Sequence, residues 1–334
     1  MSGEKHANIA LFVAHKGCPN TCSFCNQRII SGEVNTASAL DVKASVETAL
    51  ASGAKDAQLA FFGGSFTAIE DDYRRELLEA AKPYVKNGSI SGIRISTRPD
   101  KIDEEILSEL KEYGVKAIEL GAQSMVDEVL LANERGHLSD DVRKSAKLIR
   151  DFGFELGLQM MTGLYKDTDE GAIYTANELI KLSPDTVRIY PTVVLEGTRL
   201  HELLKTGEFV PQRTESAVKL CARLIPMFEE AGIRIIRVGL HSGGNVDEGF
   251  VDGAYHPAFK ELCESEIYLN KAKESLKDKK IGKYIIYVSP SEISKMVGQK
   301  RVNIEKLKEM GFDCTVKSSE LLKKYEINIE VDSE

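Results

Sequence analysis

Between residues 17 and 27 the chain reads Gly17-Cys18-Pro19-Asn20-Thr21-Cys22-Ser23-Phe24-Cys25-Asn26-Gln27. Three thiols on one short loop converge when the backbone curls around an ion or cluster. Thiolates are soft donors that select zinc, copper or iron–sulfur. Three clustered ligands leave one coordination position open, and what fills it decides the chemistry. A structural zinc site completed by His15 or a distant cysteine is the bland reading of the same motif. Cys221, Cys263 and Cys314 are scattered among apolar positions and read as small core residues.

The elements that must carry this loop follow a simple alternation. Short apolar runs at Ile9–Ala14, Asp56–Phe62, Gly92–Thr97, Ala117–Gly121, Glu155–Met161 and Thr186–Tyr190 read as strands. Helical patterns lie between them at Ala37–Ser52, Asp71–Val85, Asp103–Tyr113, Asp140–Phe152 and Asp169–Leu182. Several helices open on Asp or Ser and some close on Gly, as at Gly114 and Gly153. Strands with little polar alternation fit a parallel sheet covered by helices. Six βα units point to an α/β fold, a partial or complete TIM-type barrel, with a doubly wound sheet as the other possibility. In either case ligands bind at the C-terminal ends of the strands. The cysteine loop follows strand one, Gly63-Gly64-Ser65 follows strand two, Ser96 ends strand three, and Gln123 follows strand four. Gln159 lies late in strand five, and Arg188 and Tyr190 end strand six.

Beyond Tyr190 the pattern predicts a long helix at Thr214–Ala231, a seventh strand at Arg234–Val238 and a Gly-rich loop from His241. Ordinary turn chemistry accounts for His241, Asn245 and His256 as well as a place in a substrate cavity does. The charge-rich Lys271–Lys280 reads as a linker or a solvated helix end. From Ile281 a strand, a short helix, Gly298-Gln299-Lys300-Arg301, a second helix and two strands follow. The expected organisation is a core barrel over 1–240, an extension and linker over 241–280 and a small α+β domain over 281–334.

The formal net charge is −8, but it is uneven. Lys271–Glu334 holds 14 Lys and Arg against 11 Asp and Glu, and the rest 30 against 41. A polyanion would therefore meet the tail rather than the whole surface. No apolar run approaches a membrane span, the N-terminus lacks a signal-peptide core, and six cysteines in 334 residues do not form a disulfide framework. A cytoplasmic protein is expected.

The motif Cys18-x3-Cys22-x2-Cys25, with Phe24 before the last cysteine, resembles the signature of radical S-adenosylmethionine enzymes. The resemblance implies that Cys18, Cys22 and Cys25 hold a 4Fe–4S cluster whose fourth iron takes S-adenosylmethionine. That explains the absent fourth ligand: another cysteine would block the reactive iron. Reduction then releases a 5′-deoxyadenosyl radical, a reaction supplied by the cofactors while the protein supplies positioning. Phe62-Gly63-Gly64-Ser65-Phe66-Thr67 resembles the glycine pair whose carbonyls bind the ligand's ammonium. Glu119-Leu120-Gly121-Ala122-Gln123-Ser124 and Asn133-Glu134-Arg135-Gly136-His137 resemble the branch of the elongator catalytic subunit and oxygen-independent coproporphyrinogen oxidase. By that likeness Gln123 contacts the ribose or carboxylate and Arg135 pairs with the carboxylate, a task suited to its fork. Phe24, Gly63, Gly64, Ser65, Ser96, Gln123, Arg135 and Gln159 make up the implied S-adenosylmethionine set. Ser96-Thr97-Arg98-Pro99-Asp100, Ile189-Tyr190-Pro191-Thr192 and Glu196-Gly197-Thr198 look more specifically like the elongator branch, and the likeness covers roughly residues 8–240.

Ser96 and Gln159 stand where the porphyrinogen oxidase pattern carries acids, which argues against a haem-pathway enzyme. The elongator subunit's acetyltransferase domain has no counterpart in the roughly 95 residues after the core. The tail resembles a KH module, which clamps about four nucleotides with its GxxG loop. Here Arg301 replaces the second glycine, and Gly298, Lys300 and Arg301 are the RNA-contact candidates. Arg188, Tyr190 and His241 are the substrate candidates. The expected function is RNA modification, of tRNA first, with a low-potential donor such as flavodoxin or ferredoxin and no membrane. The competing readings are radical chemistry on a small metabolite, porphyrinoid or peptide with the tail as a protein-docking module, and a non-catalytic zinc-stabilised RNA-binding protein.

Overall fold

The computed structural model describes residues 8–13, 22–31, 36–241 and 245–332. Cys18, His15 and Ser242–Gly244 lie outside the described residues. The others fall into two compact units, one within Met1–Gln212 and Met227–Ala254, the other within Arg213–Pro226 and Tyr255–Glu334.

The first unit runs β1 (Asn8–Val13), α1 (Gln27–Ser31), α2 (Ala39–Ala51), β2 (Gln58–Gly63), α3 (Asp71–Lys86), β3 (Gly92–Thr97), α4 (Glu104–Glu112) and β4 (Val115–Gln123). It continues through α5 (Asp127–Ala132), α6 (Ser139–Asp151), β5 (Glu155–Thr162), α7 (Asp169–Lys181), β6 (Thr186–Pro191), β7 (Val193–Leu195) and α8 (Arg199–Thr206). The helix α9 (Thr214–Glu230) crosses the division at Pro226, and β8 (Arg234–Val238), α10 (Asn245–Gly249) and β9 (Phe250–Gly253) complete the unit. Seven strands pair in the order β1-β2-β3-β4-β5-β6-β8, every neighbouring pair parallel. The order never reverses, which excludes the doubly wound alternative, and the sheet curls into the half-barrel expected from six βα units. The predicted seventh strand closes its far edge.

Local signals set the helix starts. Ser38 and Asp41 form a reciprocal capping box on α2, and the Asp103 carboxylate accepts the Ile106 N–H at the start of α4. Thr168 and Thr198 cap α7 and α8 in the same way. Alternate strand residues then face opposite ways. Leu59, Phe61, Ile93, Ile95, Ile118, Leu120, Leu158, Val187 and Ile189 form the buried apolar layer. The other face is polar: Arg94, Glu119, Gln159 and Arg188 are joined by side-chain hydrogen bonds across β3, β4, β5 and β6. Gly157 lies opposite Glu119 in register, and a Cβ there would stand 2.7 Å from Glu119 Cγ. A bare backbone at 157 is what leaves room for the carboxylate.

The second unit contains α11 (Phe259–Leu276), β10 (Gly282–Val288), α12 (Ile293–Val297), α13 (Val302–Glu309), β11 (Phe312–Ser318) and β12 (Ile327–Val331). Its sheet has β10 in the centre, parallel to β11 and antiparallel to β12. Of the two readings of Lys271–Lys280, linker or solvated helix end, the structure has the helix end: α11 runs to Leu276, with Ala272 and Leu276 buried beneath its charges. The domain is thus larger than the 281–334 of the sequence reading, with α11 built into it. Tyr268 on α11 donates to Glu292 at 3.1 Å and accepts the Tyr325 N–H at 2.7 Å. The Asn303 amide donates to the Ser265 and Met296 carbonyls at 3.0 and 3.1 Å. Cys221, Cys263 and Cys314 are buried in this unit as core residues, and burial raises the Cys263 thiol and pushes Cys314 up to about 11. Among the described residues no helix is long and apolar enough to cross a membrane.

Candidate functional site

The C-terminal ends of the strands carry the residues singled out by their spacing. Cys22 is buried and Cys25 partly so, on a turn closed by the Cys25 N–H donating to the Cys22 carbonyl at 3.0 Å. The residues between them are held from outside the loop. The Ser23 N–H and hydroxyl both donate to Asn133, at 3.2 and 2.6 Å, while the Ser23 carbonyl accepts the Leu200 N–H at 2.8 Å. Asn133, itself fully buried, donates to the Val129 and Tyr165 carbonyls. Asn26 reaches the Glu196 carbonyl at 2.8 Å. Phe24 packs against the apolar cluster of Val194, Leu200, Leu203 and Phe209.

Arg135 joins this loop to the sheet. One terminal nitrogen lies 3.0 Å from Cys22 Sγ, the other donates to the Gly121 carbonyl at 2.7 Å, and the guanidinium stands 5.8 Å from the Phe24 ring centre. Gly121 is what admits this arrangement. A Cβ there would meet the Gln123 amide nitrogen at 2.9 Å and Arg135 at 3.3 Å. Gln123 takes a left-handed backbone with φ of 64°, turning its side chain at the strand end.

Gly63 has φ of 105°, and a Cβ there would press on the Val13 backbone at 3.3 Å, while the Gly64 N–H donates to the Val13 carbonyl. Glycine is required at this crossing of β1 and β2. Ser65 is buried, and its hydroxyl is spent on Thr97 at 2.9 Å and the Arg98 N–H at 3.2 Å, tying the ends of β2 and β3 together. Ser96 Oγ, Gln123 Oε1 and Arg135 Nε are buried polar atoms without a hydrogen-bond partner among the described residues. Such atoms are costly unless a ligand meets them. A soft thiolate donor set beside unpartnered donors and acceptors fits a metal cluster with a small zwitterionic ligand.

Deeper on the polar face, Arg188 forks onto Glu119 at 2.8 and 3.1 Å and lies 5.5 Å from the Phe62 ring centre. Gln159 donates to Glu119 at 3.2 Å, and Arg94 reaches it at 3.5 Å. Gln159 is therefore engaged with this carboxylate. Arg188 also donates to the Tyr190 hydroxyl at 3.5 Å, and burial raises the Tyr190 pKa. His241 hydrogen-bonds the Ile30 backbone, and burial followed by the charge of Arg237 lowers its pKa. The sequence reading quoted Glu119, Asn133 and His137 inside motifs without giving them roles. The structure makes the first the centre of an ionic cluster and the second the anchor of the cysteine turn. In the second unit, Lys300 and Arg301 are exposed with φ of 53° and 64°, and Gly298 has φ of 77°. A Cβ at 298 would meet Val302 at 2.9 Å and Asn303 at 3.0 Å.

Comparison with known proteins adds to this geometry. The family model of the Radical SAM superfamily matches residues 13–179, half of the chain, and that of the Radical SAM C-terminal domain matches residues 184–269. A tRNA uridine(34) acetyltransferase of Methanocaldococcus infernus is 32% identical over 184 residues, covering 49% of this chain and 34% of the relative. The human Elongator complex protein 3 is 31% identical over 187 residues with the same coverage. The chain thus spans about a third of the length of these curated relatives. Among solved structures, the archaeal Elp3 of Methanocaldococcus infernus with an N-terminal deletion superposes with a TM-score of 0.65 at 24% identity, over 83% of this chain and 65% of that one. Coproporphyrinogen III oxidase of Escherichia coli gives 0.51 at 19% identity, over 68% and 53%. At these identities the structures report a shared fold.

His137 gives the site a measurable pH signature. Its ring meets the Ala122 carbonyl at 3.3 Å, and burial, then the charge of Arg135, lowers its pKa to about 4. The folded state therefore holds a neutral imidazole that the unfolded chain protonates near pH 6.5. Its contribution is full above about pH 6.5 and is lost as pH falls toward 4. Urea unfolding of His137→Gln across that window is expected to show a pH slope about one proton smaller than the parent. Equal slopes would contradict the assignment.

Proposed function

Because the chain belongs to the radical S-adenosylmethionine superfamily, an enzyme family whose cofactors are a 4Fe–4S cluster and S-adenosylmethionine, we propose that it cleaves S-adenosylmethionine reductively and modifies tRNA. When bound, these cofactors supply electron transfer to the sulfonium and a 5′-deoxyadenosyl radical. The chain's own residues have narrower tasks. Cys22 and Cys25, with Cys18, supply the thiolates. Arg135 bridges Cys22 Sγ and the Gly121 carbonyl, tying the cysteine turn to the sheet. Gly63 and Gly64 bring bare backbone to the rim, and Ser96, Gln123 and Arg135 present three of the buried polar atoms that lack hydrogen-bond partners among the described residues. That unpartnered set beside a guanidinium-bound cysteine is the observation that carries the cofactor reading.

The substrate class rests on different support. Relatives over half of this chain are a tRNA uridine(34) acetyltransferase and Elongator complex protein 3. The second unit adds the Gly298-Gln299-Lys300-Arg301 turn, exposed from Gln299 onward, in the strand–helix–turn–helix–strand order of a KH module. Arg301 occupies the second glycine's place yet keeps the left-handed backbone that glycine adopts freely. An ordinary L-residue holds that conformation at a cost of roughly 1–2 kcal/mol. The turn thereby keeps a glycine-like path while adding a guanidinium beside Lys300, a pairing suited to phosphate.

Two measurements separate the halves of this proposal. Anaerobically reconstituted Cys22→Ala is expected to lose its iron and sulfide and to form no 5′-deoxyadenosine from S-adenosylmethionine under a low-potential reductant; retained turnover contradicts the cluster assignment. For the RNA half, Lys300→Ala/Arg301→Ala is expected to weaken tRNA binding and to reduce the slope of log affinity against log salt by about 1.4 to 1.8. An unchanged slope means that the turn makes no phosphate contacts.

A further inference from the structure

The polar face of the sheet carries a charge that its neighbours leave unbalanced. Arg188 and Arg237 are paired in register on β6 and β8, so both side chains lie on this face, with Arg237 on the edge strand. Arg188 is fully engaged by Glu119, the Phe62 ring and Tyr190. The acids of the face are engaged as well. Each Glu119 oxygen takes two donors, from Arg94 and Arg188 on one side and from Gln159 and Arg188 on the other. Glu155 Oε1 is held by Arg94 at 2.8 Å and Arg234 at 3.6 Å. Arg237 is half-buried, and it makes no hydrogen bond or ion pair among the described residues. Its charge nonetheless reaches the Tyr190 hydroxyl and the His241 ring. The Tyr190 hydroxyl accepts from Arg188 and donates to nothing among the described residues.

We infer that Arg237 and Tyr190 form an oxyanion subsite at the edge of the polar face, which binds a carboxylate or phosphate of the molecule on which this enzyme acts. The donors are complementary in kind. A guanidinium offers a planar fork, and a phenol whose oxygen already accepts from Arg188 offers its proton outward. A half-buried cation with no counter-ion among the described residues is retained at an energetic cost that an anionic ligand offsets. Arg188 is not a competing anchor, because Glu119 neutralises it. Its role is to orient the Tyr190 oxygen. His241, tethered to the Ile30 backbone, borders the same subsite from the loop after β8. The assignment of the anion to the substrate rests on the radical-enzyme reading; the existence of the subsite does not.

Calorimetric titration of the cluster-loaded protein at constant ionic strength, with inorganic phosphate in one series and acetate in another, tests the subsite. At least one anion is expected to bind, with affinity reduced tenfold or more in Arg237→Gln, several-fold in Tyr190→Phe, and only partly in Arg237→Lys. Preference for phosphate identifies a phosphorylated ligand such as a nucleotide, and preference for acetate a carboxylate. Failure of both anions to bind, or equal binding by the parent and Arg237→Gln, overturns the inference. Should Arg237→Gln not fold by circular dichroism, Tyr190→Phe decides: unchanged affinity in that variant overturns the subsite. A parent protein that forms no 5′-deoxyadenosine defeats the cofactor reading instead, and anion binding is scored independently of it.

Discussion

Arg135 makes the contacts on which the rest of the site depends. Its guanidinium touches Cys22 Sγ, the Gly121 carbonyl and the face of Phe24. A loop that carries metal ligands is set in space only if something fixes it to a rigid element. Here the fixing element is β4, a strand buried through its centre. Hydrogen bonds to charged groups contribute about 1.5–3 kcal/mol each, roughly twice a neutral pair. Around this fork the packing follows: Gly121 must be bare, Gln123 must turn at φ of 64°, and Asn133 must hold Ser23 from the α5–α6 connection.

A second constraint is electrostatic. The polar face buries Glu119 at 1% exposure among Arg94, Arg188 and Gln159. Desolvation makes such a cluster a weak net source of stability, whereas removing one member costs about 3–5 kcal/mol by stranding the others. Its effect is on geometry. It locks the rows of β3 to β6, keeps Arg188 from serving as a free cation, and leaves Arg237 as the charge available at the sheet edge.

Much of this was legible in the order of residues, because the six strands are apolar runs and parallel sheets demand that pattern. The sequence singles out the cysteine loop, Gly63, Gln123 and Arg135, and the structure sets Gln123, Arg135 and Cys22 near one another. The ionic cluster was not, since Glu119 and Arg188 stand 69 residues apart and only the strand register joins them. The short α5 and the β7–β9 pair carry too few residues for periodicity to show. The length of α11 was obscured because its charged surface hides Ala272 and Leu276. In the tail the GxxG resemblance placed the turn correctly, but the left-handed backbone of Arg301 is invisible in a string of letters.

The central claim is that Cys22 and Cys25, with Cys18, would hold a 4Fe–4S cluster that takes S-adenosylmethionine. Electron paramagnetic resonance of the anaerobically reconstituted, reduced protein tests it most directly when recorded with and without S-adenosylmethionine. A signal of a reduced 4Fe–4S cluster that changes on addition of S-adenosylmethionine is the predicted result. Stoichiometric zinc without iron or sulfide, or a cluster signal indifferent to S-adenosylmethionine, would contradict it.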